Sequence, residues 1–106
     1  MALFKKGEAS LPLKRIKFDL GNETYINIRE LAAQELIDFQ KRHGEKEINN
    51  ADFLYSLVAT CACDDNGQPL FTDVEDVKAN FGIGISTLVE IQEAIFKVSG
   101  INAAKN

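Results

Sequence analysis

The stretch from Asp64 to Gly100, DDNGQPLFTDVEDVKANFGIGISTLVEIQEAIFKVSG, constrains the fold more than any other part of the chain. It reads as a turn, a proline, a capped acidic helix, a glycine break, a second amphipathic helix and a glycine stop. Thr72-Asp73-Val74-Glu75 fits a capping box, in which the threonine side chain accepts from the third helical amide and the glutamate returns to the cap amide. A helix over about 73–81 is predicted, burying Val74, Val77 and Phe81. Gly82 and Gly84 end it. Ser86 then caps a helix over about 86–99, whose apolar residues are Leu88, Val89, Ile91, Ile95, Phe96 and Val98, and Gly100 closes it.

Upstream, the pattern changes period. Ile16, Phe18 and Leu20 share one face, Gly21-Asn22 turns, and Thr24, Ile26 and Ile28 share a face with Tyr25 and Asn27 opposite, so a β-hairpin is expected over 14–28. A lone hairpin is marginal in water and must rest on helices or on a partner. A helix over about 29–43 follows, with Asn27 and Glu30 as its cap, Ala32, Ala33, Leu36, Ile37 and Phe39 as its apolar stripe, and Gly44 as its stop. A further helix over about 50–63 carries Phe53, Leu54, Leu57, Val58, Cys61 and Ala62 at helical spacing, the most apolar stripe in the chain and the expected centre of the core. The fold class is therefore α+β, mainly α: an N-terminal β-hairpin followed by about four helices. With 106 residues, one domain over 14–100 is expected, with residues 1–13 as a flexible arm and 101–106 as a frayed end.

The chemistry this sequence offers is thin. Cys61 and Cys63 suit a cytosolic chain without disulfides, and residues two apart on a helix point about 200° apart, so they would not chelate one metal there. They read as small buried residues. His43, the single histidine, is accounted for by a helix C-terminus, where its charge suits the dipole. Asp64, Asn66 and Gly67 would fill three positions of a calcium loop, but Ala62 and Asp73 stand where a first ligand and a bidentate glutamate are needed. Gly82-Ile83-Gly84 follows a helix, and Thr87 stands where a phosphate loop would have its third glycine. An acyl carrier role would need Asp-Ser-Leu at a helix start, and neither Ser56 nor Ser86 provides it. No catalytic residue, metal or cofactor is expected, and the chain is read as not an enzyme.

Charge is unevenly spread. Residues 1–17 hold Lys5, Lys6, Lys14, Arg15 and Lys17 against Glu8 alone, whereas the rest of the chain is acidic enough to bring the total to −4. Two readings stand side by side: a solvated tail and face, or a contact in which the basic arm of one copy meets the acidic body of the next. The five cations are the candidate self-association residues. A nucleic-acid site would rest on the arm alone and is not expected. Neither is a membrane span, since no apolar run approaches the required length.

Taken together, a basic hairpin leading into RELAAQELIDFQKR, then FLYSLVATCACDDNGQPLF, then TDVEDVKANF and STLVEIQEAIFKVSG, resemble the tail assembly chaperones of long-tailed (lambda-like, siphovirus) bacteriophages and prophages. The likeness covers roughly residues 14–100, and DDNGQPLFTDVEDV is its most specific portion. The resemblance implies a cytoplasmic chaperone in the bacterial host that binds the tape measure protein, helps recruit tail tube protein subunits, forms homo-oligomers and is absent from the mature virion. A groove between helices would shield the partner's apolar stripes, with Leu88, Ile91, Ile95 and Val98 as its candidates. The resemblance also implies a longer form made by a −1 frameshift. Ala104-Lys105-Asn106 can be encoded as GCA AAA AAC, which holds a slippery heptamer. A reading from a different class is a small acidic inhibitor or DNA mimic acting on a nucleic-acid enzyme.

Overall fold

The structure, a computed structural model, describes residues 13–43 and 51–101 together with the isolated Leu3. Strands β1 (Arg15–Gly21) and β2 (Thr24–Arg29) form the hairpin, followed by α1 (Ala33–His43), α2 (Ala51–Cys61), a two-residue strand β3 (Ala62–Cys63), α3 (Val74–Asn80) and α4 (Ile85–Val98). The three strands lie in the order β1-β2-β3, antiparallel throughout. An α+β chain with a hairpin followed by four helices is what the periodicity predicted. Expectations for residues 1–2, 4–12, 44–50 and 102–106 lie outside the described residues, and these include the arm, Lys5, Lys6 and the Ala104–Asn106 tripeptide.

The hairpin turn sits one residue later than expected. Asn22 and Glu23 both take positive φ, 53° and 60°, between the paired residues Gly21 and Thr24. Two left-handed central residues match the right-handed twist of the flanking strands, which is why two-residue hairpin loops favour them. Leu20 is the extra residue of a bulge between Asp19 and Gly21. Before it the register is regular, with Ile16 opposite Ile28 and Phe18 opposite Ile26 on the face that meets the helices.

Three boundaries differ from the sequence reading. β2 continues through Arg29 and α1 begins only at Ala33, because Glu35, not Glu30, completes the cap: its Oε1 accepts the Ala32 N–H at 2.8 Å. Asn27 is a strand residue and caps nothing. α2 ends at Cys61, so Ala62 and Cys63 leave the helix and pair with Ile28 and Asn27. α4 starts at Ile85 with Gly84 as its cap and no side-chain cap bond, so Ser86 lies inside the helix.

The box before α3 is likewise shifted by one. Asp73 is the cap, its Oδ1 accepting from the Asp76 N–H at 2.9 Å, and Asp76 Oδ2 accepts from the Thr72 N–H, also at 2.9 Å. Aspartate is as good a cap as threonine, and two carboxylates at a helix start suit the dipole. Asp73→Ala is expected to cost about 1 kcal/mol and Thr72→Ala less, measured by urea unfolding. Equal losses would restore the threonine cap.

α2 is the central element, packed against α3, α4 and the sheet. Leu54, Leu57, Val58 and Cys61 on α2 meet Val77 on α3, Leu88, Ile91 and Ile95 on α4, and Ile26 and Ile28 on β2 in one buried cluster. α1 contributes Phe39, edge-on to Phe53 of α2 with ring centroids 5.8 Å apart, and leaves Ile37 43% exposed. Gly100 ends α4 at φ 78°, where the Gly100 and Ile101 amides bond the Lys97 and Phe96 carbonyls, a Schellman motif. Ser99 Oγ beside it accepts the Leu31 N–H, tying the end of α4 to the chain leaving the sheet. Among the described residues, no helix is long and apolar enough to cross a membrane.

Candidate functional site

Strand alternation puts Arg15, Lys17, Asp19, Tyr25, Asn27, Arg29 and Cys63 on the sheet face turned away from the helices. Beyond β3 the chain folds back through the Asp64–Gly67 turn. The Gly67 N–H donates to the Asp64 carbonyl, and Asp64 Oδ1 accepts from the Asn66 and Gln68 amides. Pro69 then bridges Cys63, at a position where no N–H is required. Gly67 has φ 83°, a backbone conformation that favours glycine, and a Cβ there would meet only the movable end of Arg15, Nη1 at 3.0 Å.

This turn delivers Asp65 to the outer face. The Tyr25 hydroxyl donates to its carboxylate at 2.7 Å and Asn27 Nδ2 at 2.8 Å, while Arg15 Nη1 donates to its carbonyl oxygen at 3.3 Å. The Asn27 and Tyr25 hydrogen bonds, helped by the charges of Lys17 and Arg15, hold the Asp65 carboxyl below its usual range. The same bond raises the Tyr25 phenol, whose proton is committed to Asp65. A shallow depression of about 180 Å³ lies here, lined by Tyr25, Ile26, Asn27, Cys63, Asp64, Asp65 and Leu70.

The cluster works as a clamp that fixes the turn to the sheet. It has no nucleophile with a base. Burial pushes the Cys61 thiol up to about 12 and the Cys63 thiol upward, so both stay protonated near neutrality, when the thiolate is the reactive form. Among the described residues, no group of three or more histidine, cysteine, aspartate or glutamate side chains could hold a metal ion. The alternation in the sequence already set Tyr25 and Asn27 apart from the core face. Asp65, 38 residues beyond Asn27, carried no local signal for its place beside them.

The candidate groove needs correction. Leu88, Ile91 and Ile95 are 2%, 1% and 0% exposed, filled by this chain's own α2, and Val98 is half-buried. An amphipathic stripe next to the most apolar helix of the same chain is used up by that helix. What α4 leaves outside is Ile85, 59% exposed, and Val89, 38% exposed, one turn apart.

The self-association candidates also separate. Lys14, Arg15 and Lys17 belong to β1 and its start, not to an arm. The Lys14 amide donates to Glu30 Oε2, Arg15 reaches Asp65, and Lys17 Nζ lies 4.9 Å from the centre of the Tyr25 ring. Comparison of the chain with models of known protein families, with characterised proteins and with solved structures returned no match.

Proposed function

We propose that this chain is a non-enzymatic tail assembly chaperone of a long-tailed bacteriophage or prophage, working in the cytoplasm of the bacterial host. It binds the tape measure protein, helps bring tail tube subunits to it, and leaves before the virion is mature. The resemblance in layout supports the reading, from the hairpin through the joint DDNGQPLFTDVEDV to the last two helices.

The observation that carries it is the outward apolar strip of Ile85 and Val89 on α4. Single exposed apolar residues are ordinary, but two at i and i+4 make a strip that an amphipathic helix can cover with its own stripe. A long helical tape measure protein offers such stripes repeatedly. The acidic-inhibitor reading has less behind it, because it rests on net charge alone, and Asp64, Asp65, Asp73 and Asp76 already accept hydrogen bonds from this chain's own groups.

Tagged full-length chain, co-expressed with the tape measure protein encoded in the same genome, is expected to capture it. The double substitution Ile85→Lys and Val89→Lys should lower capture by about tenfold or more, since burying each apolar side chain is worth about 1.5–3 kcal/mol. Its thermal midpoint should stay near that of the parent. Undiminished capture would remove this surface from the proposal.

A further inference from the structure

β1 is an edge strand. The Glu30 N–H bonds the Lys14 carbonyl at 2.8 Å, which makes Lys14 and Glu30 a hydrogen-bonded pair. By the alternation of an antiparallel ladder, Ile16 with Ile28 and Phe18 with Ile26 are hydrogen-bonded pairs too. Arg15, Lys17 and Asp19 therefore turn their N–H and C=O groups to the open side. Among the described residues no strand pairs there.

Edges left open are templates for another strand, and proteins usually blunt them with prolines, bulges or charges that stand in the way. The stretch from Arg15 to Asp19 has neither proline nor bulge, and its two cations lean inward over the sheet, Arg15 toward Asp65 and Lys17 onto Tyr25. Ile16 on this edge strand is 39% exposed.

We propose that the open edge of β1 pairs antiparallel with β1 of a second copy of this chain, about a two-fold axis at Lys17, joining the two sheets into one. This register keeps the pairing within the regular stretch before the Leu20 bulge and sets Arg15 of each copy opposite Asp19 of the other. Opposite charges directly across a ladder stabilise it. Ile16 of each copy then lies beside Phe18 of the other on the core side, where cross-strand apolar pairs extend the core. The two Lys17 side chains meet at the axis, and their position over Tyr25 draws the charges away from it. A two-fold contact of this kind is self-complementary and closes at the dimer. The inference is independent of the chaperone reading, because it concerns the chain by itself.

Sedimentation of the full-length chain from micromolar to millimolar concentration tests it. The average mass is expected to climb toward that of two chains. Lys17→Pro breaks no ladder bond to β2, removing an N–H that faces the open side and the exposed contact of Lys17 with Tyr25, so it should hold the mass at one chain while leaving the thermal midpoint close to the parent's. Arg15→Asp should weaken association, and adding Asp19→Arg to it should restore it. A one-chain mass at the highest concentration would overturn the proposal, as would association that persists in Lys17→Pro. If Lys17→Pro does not fold, the charge exchange decides, and failure of the double variant to recover association over Arg15→Asp overturns the register.

Discussion

Replacing Leu57 by alanine is expected to cost about 2–5 kcal/mol of stability, the largest effect of any single substitution considered for this chain. Leu57 is 1% exposed and sits in the middle of α2, the helix that packs against both α3 and α4. Removing its branched end leaves a void that the surrounding helices close only in part, so lost contacts add to lost burial. For a domain of this size each kcal/mol lowers the thermal midpoint by about 4–8 °C. Ile95→Ala, at 0% exposure on α4, belongs with it. Ile85→Ala on the outward side of the same helix should stay within about 0.5 kcal/mol. A thermal midpoint that hardly moved on Leu57→Ala would displace α2 from the centre of the core.

The second large effect is expected at Glu35, because one carboxylate serves two purposes. Its Oε1 and Oε2 accept from Arg29 Nη1 and Nη2, each at 2.8 Å, and Oε1 also accepts the Ala32 N–H that opens α1. Glu35→Ala loses the cap and leaves a half-buried guanidinium without its bidentate partner. The cap contributes about 0.5–2 kcal/mol and the solvent-screened ion pair under about 1 kcal/mol, so a loss of about 1–2 kcal/mol is expected.

The same contacts set a pH dependence. The Arg29 bonds hold the Glu35 carboxyl below its usual range, and the Asp65 and Asp76 carboxyls are lowered by their own hydrogen bonds. As pH falls, the unfolded chain takes up these protons before the folded one does. Their contribution is thus complete above the ordinary carboxylate range and is lost as pH drops through the lowered values. Urea midpoints should fall on acidification, and Glu35→Gln should flatten part of that fall. An unchanged acid limb in Glu35→Gln would show that the ion pair does not stabilise the fold.

The element types were legible because each rests on a local period. Ile16, Phe18, Ile26 and Ile28 alternate, and Leu54, Leu57, Val58 and Cys61 recur at helical spacing. Gly100 takes the positive φ that a helix stop of this kind requires. Boundaries were less legible where two residues competed for one task. Thr72 and Asp73 are both good caps, and the bond that the Thr72 N–H donates to Asp76 favoured the second. β3 was hidden because Ala62 and Cys63 continue the apolar pattern of α2, and only pairing with Asn27 and Ile28 takes them out of the helix. The groove reading failed for a related reason. Periodicity tells that Leu88, Ile91 and Ile95 lie on one face, but not whether that face is covered by the same chain. Asp65 belongs to the sheet face solely through long-range contacts, so no window of sequence contained it.

The proposal as a whole turns on whether this chain protects a tape measure protein. The most direct measurement is the fraction of that protein, encoded in the same genome, that stays soluble when co-expressed with the full-length chain or with an empty vector. The account predicts a markedly larger soluble fraction with the chain present, and the two proteins eluting together. Equal soluble fractions with and without the chain, and no co-elution, would contradict it.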